Sequence, residues 1–332
     1  MRAFFHDRPS LAPTPTVALP DLAQTLEIGA VAAKDESARF GLNAFKLLGV
    51  RFAIETLLRE GTLRAGQTVV CASEGNHGRA VARAAAEAGC ASRVYMARDA
   101  AHARVEAIAG EGADVIRVDG SYDDAVRLLQ DEAAAHGWTI ISDTSWPGYE
   151  RIPFLIMLGY TRMMDEVDLP FDAVFVQGGV GGLLGAIASW CAFHHPECKV
   201  IGVEPTEAAC LQASARAGTP VVVEGPLNTA MAGLRNREVS PLAFASVKST
   251  VDVFMAIDDR WTFDAMRTLH DININAGASG AAALGGLLAL TRDPAMTDAR
   301  HALGLGAASN ALVIVSEGVT DPAVWRSVVG HQ

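Results

Sequence analysis

The chain has 332 residues, half of them hydrophobic and 20% charged, with a formal net charge of -11. This is enough apolar sequence for one large α/β domain or two domains, and the acidic balance without a basic cluster argues against nucleic acid as a partner. Five scattered cysteines (Cys71, Cys90, Cys191, Cys198 and Cys210) lack C-x-x-C spacing, which argues against a zinc site or a disulfide framework and fits free thiols in a reducing compartment.

In chain order, residues 1–33 carry Pro9, Pro13, Pro15 and Pro20 and are expected to form an irregular or extended arm. The opening MRAFFHDRPS lacks the apolar core of a signal peptide, and the longest apolar stretch, 181–193, is too short and glycine-rich to span a bilayer; a cytoplasmic protein is expected. A helix is predicted over 43–59, with Asn43 as its N-cap and Gly61 as its stop. Strands follow at 68–72, 92–96, 114–118 and 139–141, alternating with helices that end at Gly89, at Gly110 and at His136. After the loop SDTSWPGYERIP a helix runs to about Val167. The strand AVFVQ (173–177) then leads through a glycine-rich turn into a helix over 182–193. A strand at 199–204 and a helix at 208–217 come next, and the weakly patterned 218–248 reads as loop with short helices. Strand 251–257, helices 258–272 and 279–291 and strand 311–315 close the order. Alternation of this kind implies parallel strands with helices on both faces.

Three local patterns bear on chemistry. Lys46 stands among Phe45, Leu47 and Leu48 in KDESARFGLNAFKLLG. An amine in apolar surroundings loses its proton readily and is a nucleophile for Schiff bases, whereas a lysine on the wet face of a helix is inert; the stretch alone leaves both open. SEGNHG (73–78) sits at a strand-to-helix turn, where it is either a helix cap or a cofactor loop in which Asn76 donates through its amide. QGGVGG (177–182) follows a strand and opens a helix, so Gly178, Gly179, Gly181 and Gly182 allow backbone N–H groups to approach a phosphate. A dinucleotide site uses a similar turn, but its glycine spacing is not cleanly met, although Glu204 lies near the distance of the expected acidic residue.

These stretches, with SDTSWPGYERIPFLIMLGY, TAMAGL (229–234), GASGAA (277–282) and SEGVTDP (316–322), resemble the fold-type II pyridoxal-phosphate enzymes of the tryptophan synthase β group. Within that group they are most similar to the diaminopropionate ammonia-lyases. The resemblance implies an α/β fold of two open, mostly parallel twisted sheets flanked by helices, with the cofactor between the domains. We expect a large domain from 1–67 and 147–332 and a small one from 68–146. It further implies pyridoxal 5'-phosphate held by Lys46 as a Schiff base, Asn76 at the phenolate oxygen, the phosphate on Gly178, Gly179, Gly181 and Gly182, and Ser316 at the pyridine nitrogen, with Thr320 as competitor. The implied activity is α,β-elimination from 2,3-diaminopropionate or a related small amino acid, giving a 2-oxo acid and ammonia. Lys46 would serve as base on one face, and Glu74 or Asp143 on the other with a raised pKa; their structural alternatives are a helix cap and a loop brace. A small amino-acid substrate, a homodimer, and neither membrane nor nucleic acid complete the expectation.

The chain also departs from the lyases. Glu74 replaces an aspartate, Arg235–Pro241 replaces a cysteine- and glycine-containing loop, and Asn275-Ala276 stands where the lyases carry a glutamate. Arg235 and Arg237 either recognise a carboxylate or are solvated. Glu204 and Ala208 match two ligands of the divalent-cation site of related racemases, but Cys210 replaces the third, so no metal is expected. The alternatives are a serine/threonine or hydroxyaspartate dehydratase or racemase on the same cofactor, or a degenerate binding protein.

Overall fold

The computed structural model describes residues 12–73, 75–98 and 100–330. The chain divides by packing into two compact units. One spans Lys46–Tyr160, and the other joins the residues before Lys46 to those from Thr161 onward. Where the sequence reading bounded a small domain at 68–146, the packing division also takes in the two helices flanking that stretch.

The larger unit begins with β1 (Thr16–Ala18), α1 (Pro20–Leu26) and β2 (Ala30–Asp35). Irregular structure was expected up to residue 33. Pro20 instead occupies the first turn of α1, where a missing N–H costs nothing. Strand β2 escapes a pattern search because its buried positions are small and end in a buried lysine, Lys34.

The smaller unit contains α2 (Lys46–Glu60), β3 (Thr68–Ala72), α3 (Asn76–Glu87), β4 (Ala91–Ala97), α4 (His102–Ala109), β5 (Asp114–Val118), α5 (Tyr122–His136), β6 (Thr139–Ile140) and α6 (Arg151–Tyr160). Its strands lie in the order β5-β4-β3-β6, and each pairing is parallel. Such pairing requires crossovers, and the helices between the strands supply them. Helices α2 and α6 meet at their backbones. A Cβ on Gly49 would stand 2.5 Å from the Ile156 carbonyl oxygen, and one on Gly159 would stand 2.7 Å from the Gly49 Cα. Two glycines therefore set how closely the start of α2 approaches the end of α6.

The larger unit resumes with α7 (Arg162–Asp165), β7 (Ala173–Gln177), α8 (Gly182–His194), β8 (Lys199–Pro205), α9 (Cys210–Ala217), α10 (Pro241–Thr250), β9 (Val253–Ile257), α11 (Asp259–His270), α12 (Ala278–Arg292), α13 (Thr297–Leu303), β10 (Asn310–Val315) and α14 (Pro322–Val329). The strand order is β1-β2-β10-β7-β8-β9, parallel except for the antiparallel edge strand β1. Helix α12 is buried from Ala278 through Leu290, as a helix apolar on every face must be. Its small residues let it lie on the sheet; a Cβ on Gly286 would stand 2.6 Å from Val203 Cγ2. The weakly patterned 218–248 proves to contain most of α10, whose buried stripe of Ala243, Phe244 and Val247 is too short to stand out in sequence.

The larger unit holds a buried charge cluster. Lys34, Glu36 and Arg39 are at most 1% exposed. Lys34 Nζ donates to Glu166 Oε2 at 2.8 Å, and Arg39 bonds to both Glu36 and Glu166. Burial pushes the Lys34 amine down. It would push the Glu166 carboxyl up, but Arg39 and Lys34 outweigh it and hold the carboxyl low. Between this cluster and α2 the backbone is forced into positive φ at Phe40 (57°), Gly41 (70°) and Asn43 (57°). Asn43 is therefore not the N-cap of α2, which starts at Lys46; its left-handed conformation, tolerated by asparagine, bends the chain instead. The bend is pinned to the end of β10: Glu36 N–H donates to Val315, Phe45 N–H to Ser316, and Ala44 bridges Glu317.

Candidate active site

In the smaller unit Lys46 is the first residue of α2, and its Nζ donates to Asp143 Oδ2 at 2.5 Å. Asp143 lies just past β6 in a loop braced by its own aromatics. The Tyr149 hydroxyl accepts from Ser142 N–H at 2.9 Å and donates to the Ile140 carbonyl at 2.7 Å, and Trp146 stacks on Tyr149 at 4.0 Å. His77, on α3, contacts the Ile141 carbonyl through Nε2 at 2.8 Å; a carbonyl only accepts, so Nε2 carries the hydrogen. Its Nδ1 then faces Asp143 Oδ2 at 3.7 Å. The ring of Tyr160, at the end of α6, lies 5.9 Å from Lys46 Nζ.

The pKa of Asp143 was expected to be raised. Burial acts in that direction, but the Lys46 ammonium and the His77 ring outweigh it, so the carboxyl is held well below the usual carboxylate range. Burial pushes the Tyr160 phenol up, with Lys46 opposing. Asn76 is half-buried in the first turn of α3, and Ser73 Oγ accepts from Gly78 N–H at 3.0 Å in the same turn. Glu74 lies outside the described residues.

In the larger unit the glycine turn joins β7 to α8. Gly181 has φ +98° and precedes α8 without a side-chain cap, so the first N–H groups of a 13-residue helix are not met by a capping side chain. A Cβ on Gly178 would meet Leu211 Cδ1 at 2.6 Å, and one on Gly179 would meet Asn236 Nδ2 at 2.8 Å. The turn is a crowded cradle in which a side chain would displace its walls. Gly182 opens the helix itself. Beneath the turn, the oxygens of Glu204 each accept a backbone N–H, from Leu211 and Gln212, at 2.8 Å. Burial outweighs those donors and pushes the Glu204 carboxyl up to about 8.

Ser316 is buried at the end of β10, whereas Thr320 is exposed. Arg235 and Arg237 are exposed and donate to the carbonyls of Thr229 and Val223. Asn275 is exposed and bonded to His270. Sequence reasoning assigned nothing to His77, Tyr149, Tyr160 or Glu317. All four lie inside quoted motifs, so motif membership was an available signal for them, but which side chains face Lys46 and Asp143 is decided by packing.

Comparison with known proteins adds to this geometry. The family described as "Pyridoxal-phosphate dependent enzyme" matches residues 8–316. The diaminopropionate ammonia-lyase of Escherichia coli (strain K12) is 36% identical over 357 residues, covering 99% of this chain and 90% of that protein. The serine racemase of Schizosaccharomyces pombe is 32% identical over 228 residues, 68% of each. Among solved structures, selenomethionine holo diaminopropionate ammonia lyase from Escherichia coli superposes with a TM-score of 0.91 at 35% identity, over 99% of this chain and 90% of that one. No described helix is long and apolar enough to cross a membrane.

Proposed function

The chain belongs to the family of pyridoxal-phosphate-dependent enzymes, and from that premise we propose that it eliminates ammonia from 2,3-diaminopropionate or a closely related small amino acid, releasing a 2-oxo acid (pyruvate from three carbons) and ammonia. The observation that carries the reading is the Lys46–Asp143 pair, an amine able to hold a carbonyl cofactor with an ionised carboxylate 2.5 Å away. The near full-length similarity to a diaminopropionate ammonia-lyase supports the choice of substrate.

The residues fit the cofactor. The cradle is closed to side chains at Gly178, Gly179 and Gly181 and ends, at Gly182, on an uncapped helix N-terminus, which suits a dianionic phosphate. Lys46 would hold the cofactor covalently, and Asn76 would donate to its phenolate oxygen. Burial favours Ser316 over exposed Thr320 as the residue that would meet the ring nitrogen, and a neutral hydroxyl there would leave that nitrogen largely unprotonated. Bound pyridoxal phosphate supplies an electron sink for the charge left when the α-proton departs. The protein's task is then to move protons. Lys46 accepts the α-proton on one face. Asp143 is kept ionised while the Lys46 ammonium faces it; when that positive charge is lost, burial is opposed only by His77 and a backbone N–H, and the carboxyl becomes the stronger base. Glu74 remains the other carboxylate proposed for the second face.

A second reading, dehydration or racemisation of serine, threonine or hydroxyaspartate, draws on the similarity to serine racemase. Measuring pyruvate and ammonia from D- and L-diaminopropionate, serine, threonine and hydroxyaspartate separates the two. We expect diaminopropionate to give the highest kcat/KM, and no release from either of its enantiomers would sink the lead assignment. We propose further that the enzyme is a cytoplasmic homodimer, which sedimentation equilibrium would check as a mass of twice the 34.9 kDa chain.

A further inference from the structure

We propose that Asn236 binds the cofactor's phosphate, its side-chain amide donating alongside the backbone of the glycine turn. The proposal rests on the assignment of Gly178, Gly179, Gly181 and Gly182 to that phosphate and adds a side chain to it.

The residues concerned all lie in the larger unit. A Cβ on Gly179 would stand 2.8 Å from Asn236 Nδ2, with the Gly233 carbonyl oxygen next at 3.5 Å. The amide of Asn236 is thus the wall that the turn meets at residue 179. Asn236 is half-buried, and among the described residues no hydrogen bond occupies its side chain. The segment that carries it is held on both sides. Gly233 N–H donates to Ser279 Oγ at 2.9 Å, and Asn236 N–H donates to the Leu234 carbonyl at 2.8 Å. Ser240 N–H donates to the Val180 carbonyl at 2.8 Å, which ties the segment to the glycine turn itself. The Cys210 thiol donates to the Gly179 carbonyl at 3.6 Å, so the turn has a second anchor. The arginines on either side of Asn236 are committed elsewhere, Arg235 to the Thr229 carbonyl and Arg237 to the Val223 carbonyl. Of the three side chains at 235–237, the neutral amide is the one set against the turn.

Its chemistry follows from its place. An asparagine amide carries two N–H donors, and leaving them unmet in a half-buried position costs free energy. The uncapped N-terminus of α8, a 13-residue helix, draws an anion to the same turn. A phosphate brings three strong acceptor oxygens. A hydrogen bond to a charged acceptor is roughly twice as strong as one between neutral groups. The amide and the phosphate therefore satisfy each other, whereas a cofactor without a phosphate gains nothing from Asn236. Arg235–Pro241 is also the segment in which this chain departs from the lyases it resembles, so the donor belongs to this chain's own loop.

The test compares pyridoxal phosphate with pyridoxal, which lacks the phosphate, as ligands of the full-length chain freed of cofactor. Dissociation constants are read by fluorescence titration, so activity is not needed. We expect Asn236→Ala to weaken pyridoxal phosphate by roughly 10- to 100-fold, the range for a hydrogen bond to a charged group, and to leave pyridoxal nearly unchanged. Equal weakening of both ligands, or no weakening of either, would overturn the proposal. Asn236→Asp keeps the size of the side chain and replaces the donors by a negative charge. It should weaken pyridoxal phosphate at least as much as Asn236→Ala, again sparing pyridoxal. Wild-type affinity for pyridoxal phosphate in Asn236→Asp also counts against the proposal, since a side chain that only props the turn would still do so as aspartate. If the wild type binds the two ligands equally, the assignment of the glycine turn to the phosphate fails, and the role of Asn236 falls with it. A wild-type preference for the phosphate that survives intact in both variants overturns Asn236 alone.

Discussion

Replacing Lys46 by alanine should reverse the titration behaviour of Asp143. In the wild type the carboxyl is ionised in the fold at a lower pH than in the unfolded chain, because Lys46 and His77 outweigh burial. The stability it contributes is present above the ordinary value of 3.8 and is lost as pH falls through the depressed folded value. Without Lys46, burial is opposed only by His77 and a backbone N–H, and the folded pKa is expected to rise above the unfolded one. The contribution then has the opposite sign, present at low pH and lost as pH rises. The size can be bounded from exposure. Removing one partner of a fully buried pair costs about 3–5 kcal/mol, and an exposed pair is worth under about 1 kcal/mol. With side chains 24% and 19% exposed, this pair lies between, at about 2 kcal/mol. Relief of a cation from the N-terminus of α2 returns about 0.3–1 kcal/mol, leaving a net loss on the order of 1–2 kcal/mol near neutral pH. Urea unfolding of wild type and Lys46→Ala, both freed of cofactor, should show a stability difference that widens as pH rises between about 5 and 7. Parallel curves would refute the reasoning, since Asp143 would then owe its low pKa to something other than Lys46.

Two further predictions concern the glycine turn and its floor. Gly181→Ala places a side chain at φ +98° with its Cβ 3.1 Å from Ala243 Cβ, which should cost about 1–3 kcal/mol in urea unfolding and weaken cofactor binding by about tenfold or more in a fluorescence titration. Glu204 has a folded pKa of about 8 against 4.5 unfolded, so its contribution is fully present below 4.5 and is lost as pH rises through 8. Glu204→Gln should flatten the decline in stability across that window, and an unchanged pH profile would show that the carboxyl is not protonated in the fold.

Much of the architecture was legible because it is written locally. Parallel strands buried on both faces appear as continuous apolar runs such as 69–71 and 173–177, and turns announce themselves by glycine. The cradle at 178–182 was visible for the same reason: close backbone approach needs glycine whatever surrounds it. Lys46 could be picked out as an amine among apolar neighbours, and the resemblance then suggested its task.

Partners distant in the chain decided the rest. The sequence alone could not show that β2 carries a buried lysine, because the carboxylate that makes this tolerable, Glu166, is 132 positions away. Nor could it give the direction of the Asp143 pKa, which depends on an amine 97 positions earlier lying 2.5 Å from it. Asn43 has the composition of a helix cap and the backbone of a bend, a choice made by the segment at Ser316–Gly318 to which it is pinned. Glu317 lies inside one short motif, and only the fold sets it beside two others, at Gly233 and Gly277. Residue type and spacing set the available chemistry, since backbone freedom and hydrophobic period act over a few residues. Burial and charge pairing depend on which distant side chains the fold brings within a few ångströms, and only the tertiary structure decides that.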